Sequence, residues 1–86
     1  METQTEFYVY VLKSLQDRKR YVDMTDNIER RLSEHHRGNV LSTKTRRPFI
    51  LVYHEKFSTR SEARQREKYF KTAAGRRYLD KLETKH

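Results

Sequence analysis

An arginine and a histidine occupy positions where a helix is expected to present apolar side chains. In the stretch YVDMTDNIERRLSEHHRG, residues 21–38, the positions Ile28, Arg31, Leu32 and His35 follow the i, i+3, i+4, i+7 spacing of one helix face. A guanidinium turned toward a protein interior is costly unless it is paired or binds an anion. The pattern therefore predicts an ion pair or a phosphate at Arg31, with His35 beside it.

A carboxylate is in the same situation on a second predicted helix. Glu67 follows Ala63 by four residues and precedes Phe70 by three, which places it on the apolar side of that helix. Periodicity alone favours a buried Arg31–Glu67 salt bridge, or an Arg31 whose guanidinium extends to solvent. The alternative is a cleft in which Arg31 binds a phosphate and Glu67 holds a metal ion.

Tyrosines on two predicted strands supply candidate hydroxyl groups. Tyr8 and Tyr10 share one face of the first strand, and Tyr21 and Asp23 share one face of the second. Pairing of these strands as a hairpin would bring Tyr10 and Tyr21 side by side. The alternative is a pair of core tyrosines whose hydroxyls find partners inside the protein. The pattern does not decide between these two interpretations.

The elements that must position these groups begin with a hairpin and a helix. The segment FYVYVLKS, residues 7–14, predicts a strand buried on both faces, and RYVDM, residues 20–24, predicts its return. Asp26 is the predicted N-cap of the helix, and Glu29 completes a capping-box pattern. Gly38 is expected to end this helix after residue 37.

The second half of the chain adds a strand and two helices. Residues 39–47 are predicted to be a loop, and FILVYHEKF, residues 49–57, is predicted to be the third strand. Thr59 and Glu62 form a capping box for a helix that ends near residue 71, and a last helix ends near residue 82. The order β-β-α-β-α-α predicts an α+β domain with a small three-stranded sheet, mixed or antiparallel, and helices packed on it.

Length and composition bound the class of protein. The 86 residues predict one domain over 1–86, with the polar residues 1–6 frayed. The absence of cysteine excludes a disulfide framework and a thiolate zinc site. The apolar run at 7–12 is far shorter than the ~20 residues of a membrane span, and no signal-peptide pattern opens the chain. We expect a soluble cytoplasmic protein without a membrane partner, whose oligomeric state the sequence does not indicate.

The charge distribution favours a polyanionic partner. Twenty Lys and Arg against twelve Asp and Glu give a net charge of +8, which favours nucleic acid over ordinary solubility charge. Residues 35–54 contain no acid. The expected nucleic-acid-binding residues of that segment are Arg37, Lys44, Arg46 and Arg47.

Several segments resemble the GIY-YIG nuclease superfamily, in particular its small single-domain bacterial members. The tripeptides YVY at 8–10 and YVD at 21–23 resemble its two tyrosine motifs. The segments STKTRRPFILVYHEKF and EARQREKYFK extend the likeness, which covers residues 7–82. The resemblance implies a three-stranded antiparallel sheet flanked by helices.

The resemblance also implies an activity and the residues that perform it. The activity is metal-dependent endonuclease cleavage of nucleic acid, DNA more than RNA, with low sequence specificity and a role in repair or recombination. Tyr10 and Tyr21 match the motif tyrosines, Arg31 the catalytic arginine, and His35 a histidine one turn later. Glu67 matches the glutamate that binds a divalent cation, Mg²⁺ or else Mn²⁺. We therefore expect both tyrosines and Arg31 to line a phosphate-binding cleft that Glu67 closes.

One residue departs from the family pattern at the expected site. The second motif normally ends in glycine, and here that position is Asp23. A carboxylate on the same face as Tyr21 repels a phosphate, unless it pairs with Arg31 or helps to hold the metal. The alternative function is consequently a nucleic-acid-binding module whose catalytic centre is impaired by Asp23.

Overall fold

The computed structural model describes residues 6–84. Its elements are β1 Phe7–Ser14, β2 Arg20–Thr25, α1 Ile28–His36, a 3₁₀ turn Lys44–Arg46, β3 Phe49–Phe57, α2 Arg60–Phe70 and α3 Ala73–Glu83. This order confirms the predicted α+β arrangement and adds a short turn within the predicted loop. The predicted fraying of residues 1–6 concerns, apart from Glu6, positions outside the described residues.

The three strands form one antiparallel sheet of order β2-β1-β3, as the family resemblance implies. β1 is the central strand, and its residues 9–12 are all buried, which confirms the predicted burial on both faces. Because successive side chains of a strand alternate, Val9 and Val11 face one side of the sheet. Tyr10 and Leu12 face the other.

Each face of the sheet has its own apolar core. On the Val9 face, α2 and α3 complete a cluster of Val9, Val11, Val22, Ala63, Phe70 and Leu79. On the Tyr10 face, α1 adds Ile28 and Leu32 to a smaller cluster of Tyr10, Leu12, Phe49 and Tyr21. The helix carrying Arg31 and His35 therefore lies on the tyrosine face, whereas the helix carrying Glu67 packs on the opposite face.

The helix ends follow local side-chain chemistry, with one correction. Asn27, rather than Asp26, caps α1, because its extended backbone lets its side chain accept a hydrogen bond from the Arg30 N–H. Asp26 instead forms an ion pair of 2.8 Å with the Arg30 guanidinium. Thr59 caps α2 as predicted, accepting from the Glu62 N–H. No helix within residues 6–84 is long and apolar enough to cross a membrane.

Candidate active site

A buried hydrogen bond joins the first strand to α1. The Tyr10 hydroxyl lies 2.9 Å from Nε2 of His35, and both side chains are fully buried. The sequence placed both residues on inward faces, and the structure shows that those faces meet. Tyr10 is consequently a core tyrosine whose hydroxyl has a hydrogen-bond partner inside the protein.

A buried threonine is the second hydrogen-bond partner of the His35 imidazole. Its Nδ1 lies 2.8 Å from Oγ1 of Thr43, and that hydroxyl is 3.4 Å from the carbonyl of Val40. If the hydroxyl donates to Val40, it accepts from Nδ1–H, so Nε2 is the acceptor of the Tyr10 proton. Burial lowers the pKa of His35 below its usual value, and the charge of Arg31 lowers it further.

Sequence reasoning missed Thr43, because it lies in the segment predicted to be a loop. No periodic pattern marks residues 39–47, and a single threonine in such a segment carries no signal of burial. In the structure Thr43 is fully buried and precedes the 3₁₀ turn. Its backbone N–H donates to the Val40 carbonyl at 3.1 Å, and this turn directs the side chain toward His35.

The second motif tyrosine is hydrogen-bonded to the residue that departs from the family pattern. The Tyr21 hydroxyl donates to Oδ2 of Asp23 at 3.0 Å, and Ser42 donates to the Tyr21 hydroxyl at 3.4 Å. Burial raises the pKa of Tyr21, and the nearby Asp23 carboxylate raises it further. Tyr21 is only partly buried, so its hydroxyl is nearer to solvent than that of Tyr10.

The two tyrosines are diagonal neighbours and not a directly opposed pair. Tyr10 is in register with Asp23, and Tyr21 is in register with Leu12. Both rings nevertheless contact the imidazole of His35, at centroid distances of 5.8 Å for Tyr10 and 5.2 Å for Tyr21. The two tyrosines are therefore not paired side by side across the strands, and each ring contacts His35 instead.

Arg31 lies at the edge of this cluster and is paired with two carboxylates. Its guanidinium is 2.8 Å from Glu34 on its own helix and 3.7 Å from Asp23. The hydrogen bond that Arg31 donates to the Glu34 carboxylate raises the pKa of Arg31 above its usual range, so the guanidinium stays charged. The predicted Arg31–Glu67 salt bridge is wrong, because Glu34 is one helical turn away, whereas α2 packs on the other face of the sheet.

The Arg31 side chain remains 29% exposed and borders an opening of about 230 Å³. The opening lies between the start of α1, the end of β2 and the start of α2, and its lining residues are Phe7, Met24, Thr25, Asp26, Arg30, Arg31 and Arg60. Three guanidiniums and one carboxylate around a small polar opening give it the charge that a phosphate requires.

Glu67 lies on α2, which packs on the face of the sheet opposite Tyr10, and neither Glu67 nor a motif tyrosine borders the opening beside Arg31. The expected cleft, lined by both tyrosines and closed by Glu67, is therefore not the opening that Arg31 borders. The Glu67 carboxylate accepts a hydrogen bond of 2.9 Å from Lys71, and its side chain is 15% exposed.

Arg60 and Lys71 lie on the same side of α2 as Glu67. Arg60 borders the opening that Met24 also borders. Lys71 borders a groove that is also lined by Tyr21 and Val22. Glu67 lies between Arg60 and Lys71 along α2, and this helix contacts the edge strand β2.

Glu67 and Asp23 are the two carboxylates that the sequence motifs single out as possible metal ligands, and both accept hydrogen bonds within the protein. Within residues 6–84, no group of three His, Cys, Asp or Glu side chains could form a metal cage. Mg²⁺ commonly takes only one or two protein carboxylates and completes its shell with water and substrate oxygens. A single carboxylate such as that of Glu67 is a donor of the kind that a hydrated Mg²⁺ or Mn²⁺ accepts.

The predicted nucleic-acid-binding segment is only partly available for binding. Arg46 forms an ion pair of 2.9 Å with Asp17 and lies over the Phe49 ring. Arg47 donates to the carbonyls of Lys44 and His36. The side chains of Arg37 and Lys44 are exposed. Two of the four basic residues thus hold the 39–47 segment in place.

The fold agrees with what comparison with known proteins gives. The family described as the GIY-YIG catalytic domain matches residues 6–80. A UPF0213 protein of Staphylococcus haemolyticus is 43% identical over 77 residues, covering 88% of this chain and 93% of that protein. The UPF0213 protein YazA of Bacillus subtilis is 42% identical over 72 residues, covering 83% and 71%.

A solved structure gives the same result. The solution NMR structure of the UPF0213 protein BH0048 from Bacillus halodurans has a TM-score of 0.56 at 30% identity. The match covers 90% of this chain and 84% of that one. The chain belongs to the GIY-YIG family and is similar throughout to the small bacterial UPF0213 proteins.

Proposed function

We propose that the protein is a metal-dependent endonuclease that hydrolyses phosphodiester bonds of DNA. The observation that carries this proposal is the cluster of Arg31, Tyr21, Tyr10 and His35 on one face of the sheet, next to an opening lined by guanidiniums. Arg31 is paired with Glu34 and more loosely with Asp23, but its side chain remains 29% exposed beside the opening, where a phosphate can reach it. Low sequence specificity follows from a site whose groups address phosphate and not base edges.

Arg31 is the group proposed to bind the reacting phosphate. Its hydrogen bond with Glu34 directs the guanidinium along α1, and its 3.7 Å separation from Asp23 is long enough for a phosphate oxygen to compete. A guanidinium can donate two hydrogen bonds to one phosphate, and these strengthen as negative charge concentrates in the transition state.

Tyr21 is the tyrosine proposed to orient the attacking water. Its hydroxyl is partly accessible, whereas the Tyr10 hydroxyl is buried against His35. Because burial raises the pKa of both phenols, each remains protonated near neutral pH. Tyr10 and His35 are therefore positioning residues, which hold α1 and its arginine over the sheet.

Glu67 is proposed to hold the divalent cation. When bound, the cation would neutralise charge on the phosphate and lower the pKa of the attacking water. Lys71 occupies the Glu67 carboxylate with a hydrogen bond of 2.9 Å, and this exposed lysine can move away when a cation binds.

Plasmid nicking with purified protein tests the enzyme proposal. We expect Mg²⁺- or Mn²⁺-dependent conversion of supercoiled DNA to the nicked form, and loss of that activity with EDTA. Arg31→Ala and Glu67→Gln should each lower the rate by about a hundredfold or more. Matched controls are Arg77→Ala and Glu29→Gln, which change exposed residues on α3 and α1. Cleavage that survives both site substitutions would identify a contaminating nuclease and overturn the proposal.

The second candidate function is a nucleic-acid-binding module without catalysis. It is favoured by Asp23, whose carboxylate binds the Tyr21 hydroxyl at 3.0 Å and lies 3.7 Å from Arg31. An internal carboxylate thus engages the two groups that a substrate phosphate and water would use. Salt-sensitive DNA binding without cleavage in either metal ion would support this alternative.

A further inference from the structure

Two aromatic side chains lie on the part of the tyrosine face that α1 leaves uncovered. Tyr8 follows the same side of β1 as Tyr10, and the register pairs Tyr10 with His54 and Tyr8 with Lys56 on β3. Residues paired across strands share a face, so Tyr8, His54 and Lys56 extend the face that carries Tyr10. Tyr8 is partly buried, and His54 and Lys56 are exposed.

These rings contact each other but are not needed for either core. The Tyr8 and His54 ring centroids are 6.4 Å apart with an interplanar angle of 66°. Among the described residues, the two apolar clusters include neither ring. An edge-to-face pair on an open sheet leaves ring surface available for a planar ligand.

The position of the pair relative to the opening indicates which ligand it would take. Tyr8 is in register with Thr25 on β2, and Thr25 borders the opening that Arg31 also borders. Residues paired across strands have Cβ atoms about 4.5–5.5 Å apart, so Tyr8 is next to a residue of the opening and near the phosphate proposed to bind Arg31. The ligand must therefore carry a planar aromatic group next to a phosphate.

We propose that Tyr8 and His54 form a stacking platform for an unpaired nucleobase next to the phosphate that Arg31 binds. The proposal rests on the phosphate-binding site of the proposed function. Lys56 beside Tyr8, and Arg30 and Arg60 around the opening, complement a polyanion. Every base presents a π-face, so such a platform tolerates sequence.

This platform specifies a substrate class. A base within an intact duplex is stacked between its neighbours and cannot lie flat on a protein ring without leaving the helix. The preferred nucleic acid therefore has an unpaired nucleotide at the site, as in a single strand, a loop or a junction with a single-stranded arm. Intact duplex is expected to bind more weakly.

The test uses oligonucleotides carrying 2-aminopurine, whose fluorescence falls when the base stacks. Measurements are made in EDTA, so that no cleavage is required. Wild-type protein should quench a single-stranded probe and prefer it over the matched duplex. Tyr8→Leu, which removes the ring at similar size, should relieve the quench and weaken single-strand binding by about tenfold. Tyr8→Phe keeps the ring and should behave as wild type.

Two further arms make the outcome decisive. His54→Ala alters an exposed residue and should also relieve the quench, which covers the case in which Tyr8→Leu does not fold. With an abasic nucleotide in place of 2-aminopurine, wild type and Tyr8→Leu should bind alike. Any of three results would overturn the platform. The quench could be unchanged in both Tyr8→Leu and His54→Ala, the wild type could bind duplex as tightly as single strand, or no probe could bind.

Plasmid nicking separates this result from the proposed function. Nicking together with an unchanged quench in Tyr8→Leu refutes the platform and leaves the nuclease. A ring-dependent quench without nicking leaves the platform as part of a binding module and refutes the nuclease.

Discussion

At the scale of single residues, the site is organised by the cost of burying polar groups. Tyr10, His35 and Thr43 form a hydrogen-bonded chain through the protein interior. Within the described residues, no buried side-chain nitrogen or oxygen lacks a partner. Removing one member leaves the others unsatisfied, so the three side chains specify together how α1 and the 39–47 segment sit on the sheet.

The buried imidazole of His35 predicts how the stability of the folded protein depends on pH. The pKa of His35 is lowered in the folded protein, so below about pH 6.5 the unfolded chain binds more protons. Stability should therefore be fully present above pH 6.5 and should decrease as the pH falls below it. We expect the urea midpoint of wild type to fall between pH 7.5 and pH 5.5.

His35→Gln provides the comparison for that prediction. At pH 7.5 the variant should be less stable by about 1–3 kcal/mol, because buried hydrogen bonds are lost. Its urea midpoint should depend less on pH in this window, and so the difference from wild type should narrow toward pH 5.5. The carboxyls of Asp17, Glu34, Glu55 and Glu83 have lowered pKa values and titrate at lower pH. A parallel pH dependence in both proteins would contradict the assignment.

Asp23 gives a second prediction at this scale. Its carboxylate lies 3.7 Å from the Arg31 guanidinium, where it competes with a phosphate. Asp23→Gly should tighten DNA binding by roughly two- to fivefold and raise the nicking rate. Asp23→Asn removes the charge at the same size and should change the affinity in the same direction. Weaker binding by both variants in a fluorescence-anisotropy titration would show that the carboxylate assists the ligand, for example through the metal.

At the scale of elements, the helices of the Val9 face depend on one close approach. Gly75 is in the first turn of α3, and a Cβ built there would overlap the Tyr69 carbonyl and lie 2.6 Å from the Phe70 Cα. The absence of a side chain lets α3 begin against the last turn of α2. This junction places Leu79 in the core beneath the strands and fixes the helix that carries Glu67.

Gly75→Ala should therefore destabilise the protein even though alanine is the better helix former. The clash involves backbone atoms that cannot move aside cheaply, so we expect a loss of about 1–3 kcal/mol or more. For a domain of this size each kcal/mol lowers the melting temperature by about 4–8 °C. Ala74→Gly, at the exposed neighbouring position, should cost only about 1 kcal/mol. Equal melting temperatures for Gly75→Ala and wild type would refute the close-packing argument.

At the scale of the whole molecule, the net charge of +8 predicts strongly salt-dependent DNA binding. The logarithm of the affinity should fall linearly with the logarithm of the salt concentration, because phosphate contacts release counterions. Arg37→Ala and Lys44→Ala change exposed cations of the predicted basic segment and should each reduce the slope by about 1. Arg47→Ala is the contrasting variant, since its guanidinium is engaged by backbone carbonyls. An unchanged slope in the first two variants would place the DNA elsewhere.

The sequence by itself determined the elements, the sheet face of each tyrosine and the inward position of His35. These features follow from alternation in strands, the helical repeat and capping residues, all of which are local. The boundaries agree closely, and Asn27 replaces Asp26 as the cap because neighbouring residues of similar chemistry compete for one position. The sequence also singles out Arg31 and Glu67 by their positions on otherwise apolar helix faces, and both side chains are partly buried in the structure.

Only the tertiary structure decided which of these groups meet. Register makes Asp23 the residue opposite Tyr10. The packing of helices on both faces puts the helix of Arg31 on one side of the sheet and the helix of Glu67 on the other. Thr43 joins His35 from a segment with no periodic signal. Such contacts join residues distant in the chain, and they depend on how whole elements pack. Local sequence patterns constrain each element but not how the elements pack. The sequence could therefore indicate individual candidate residues but not which of them contact one another.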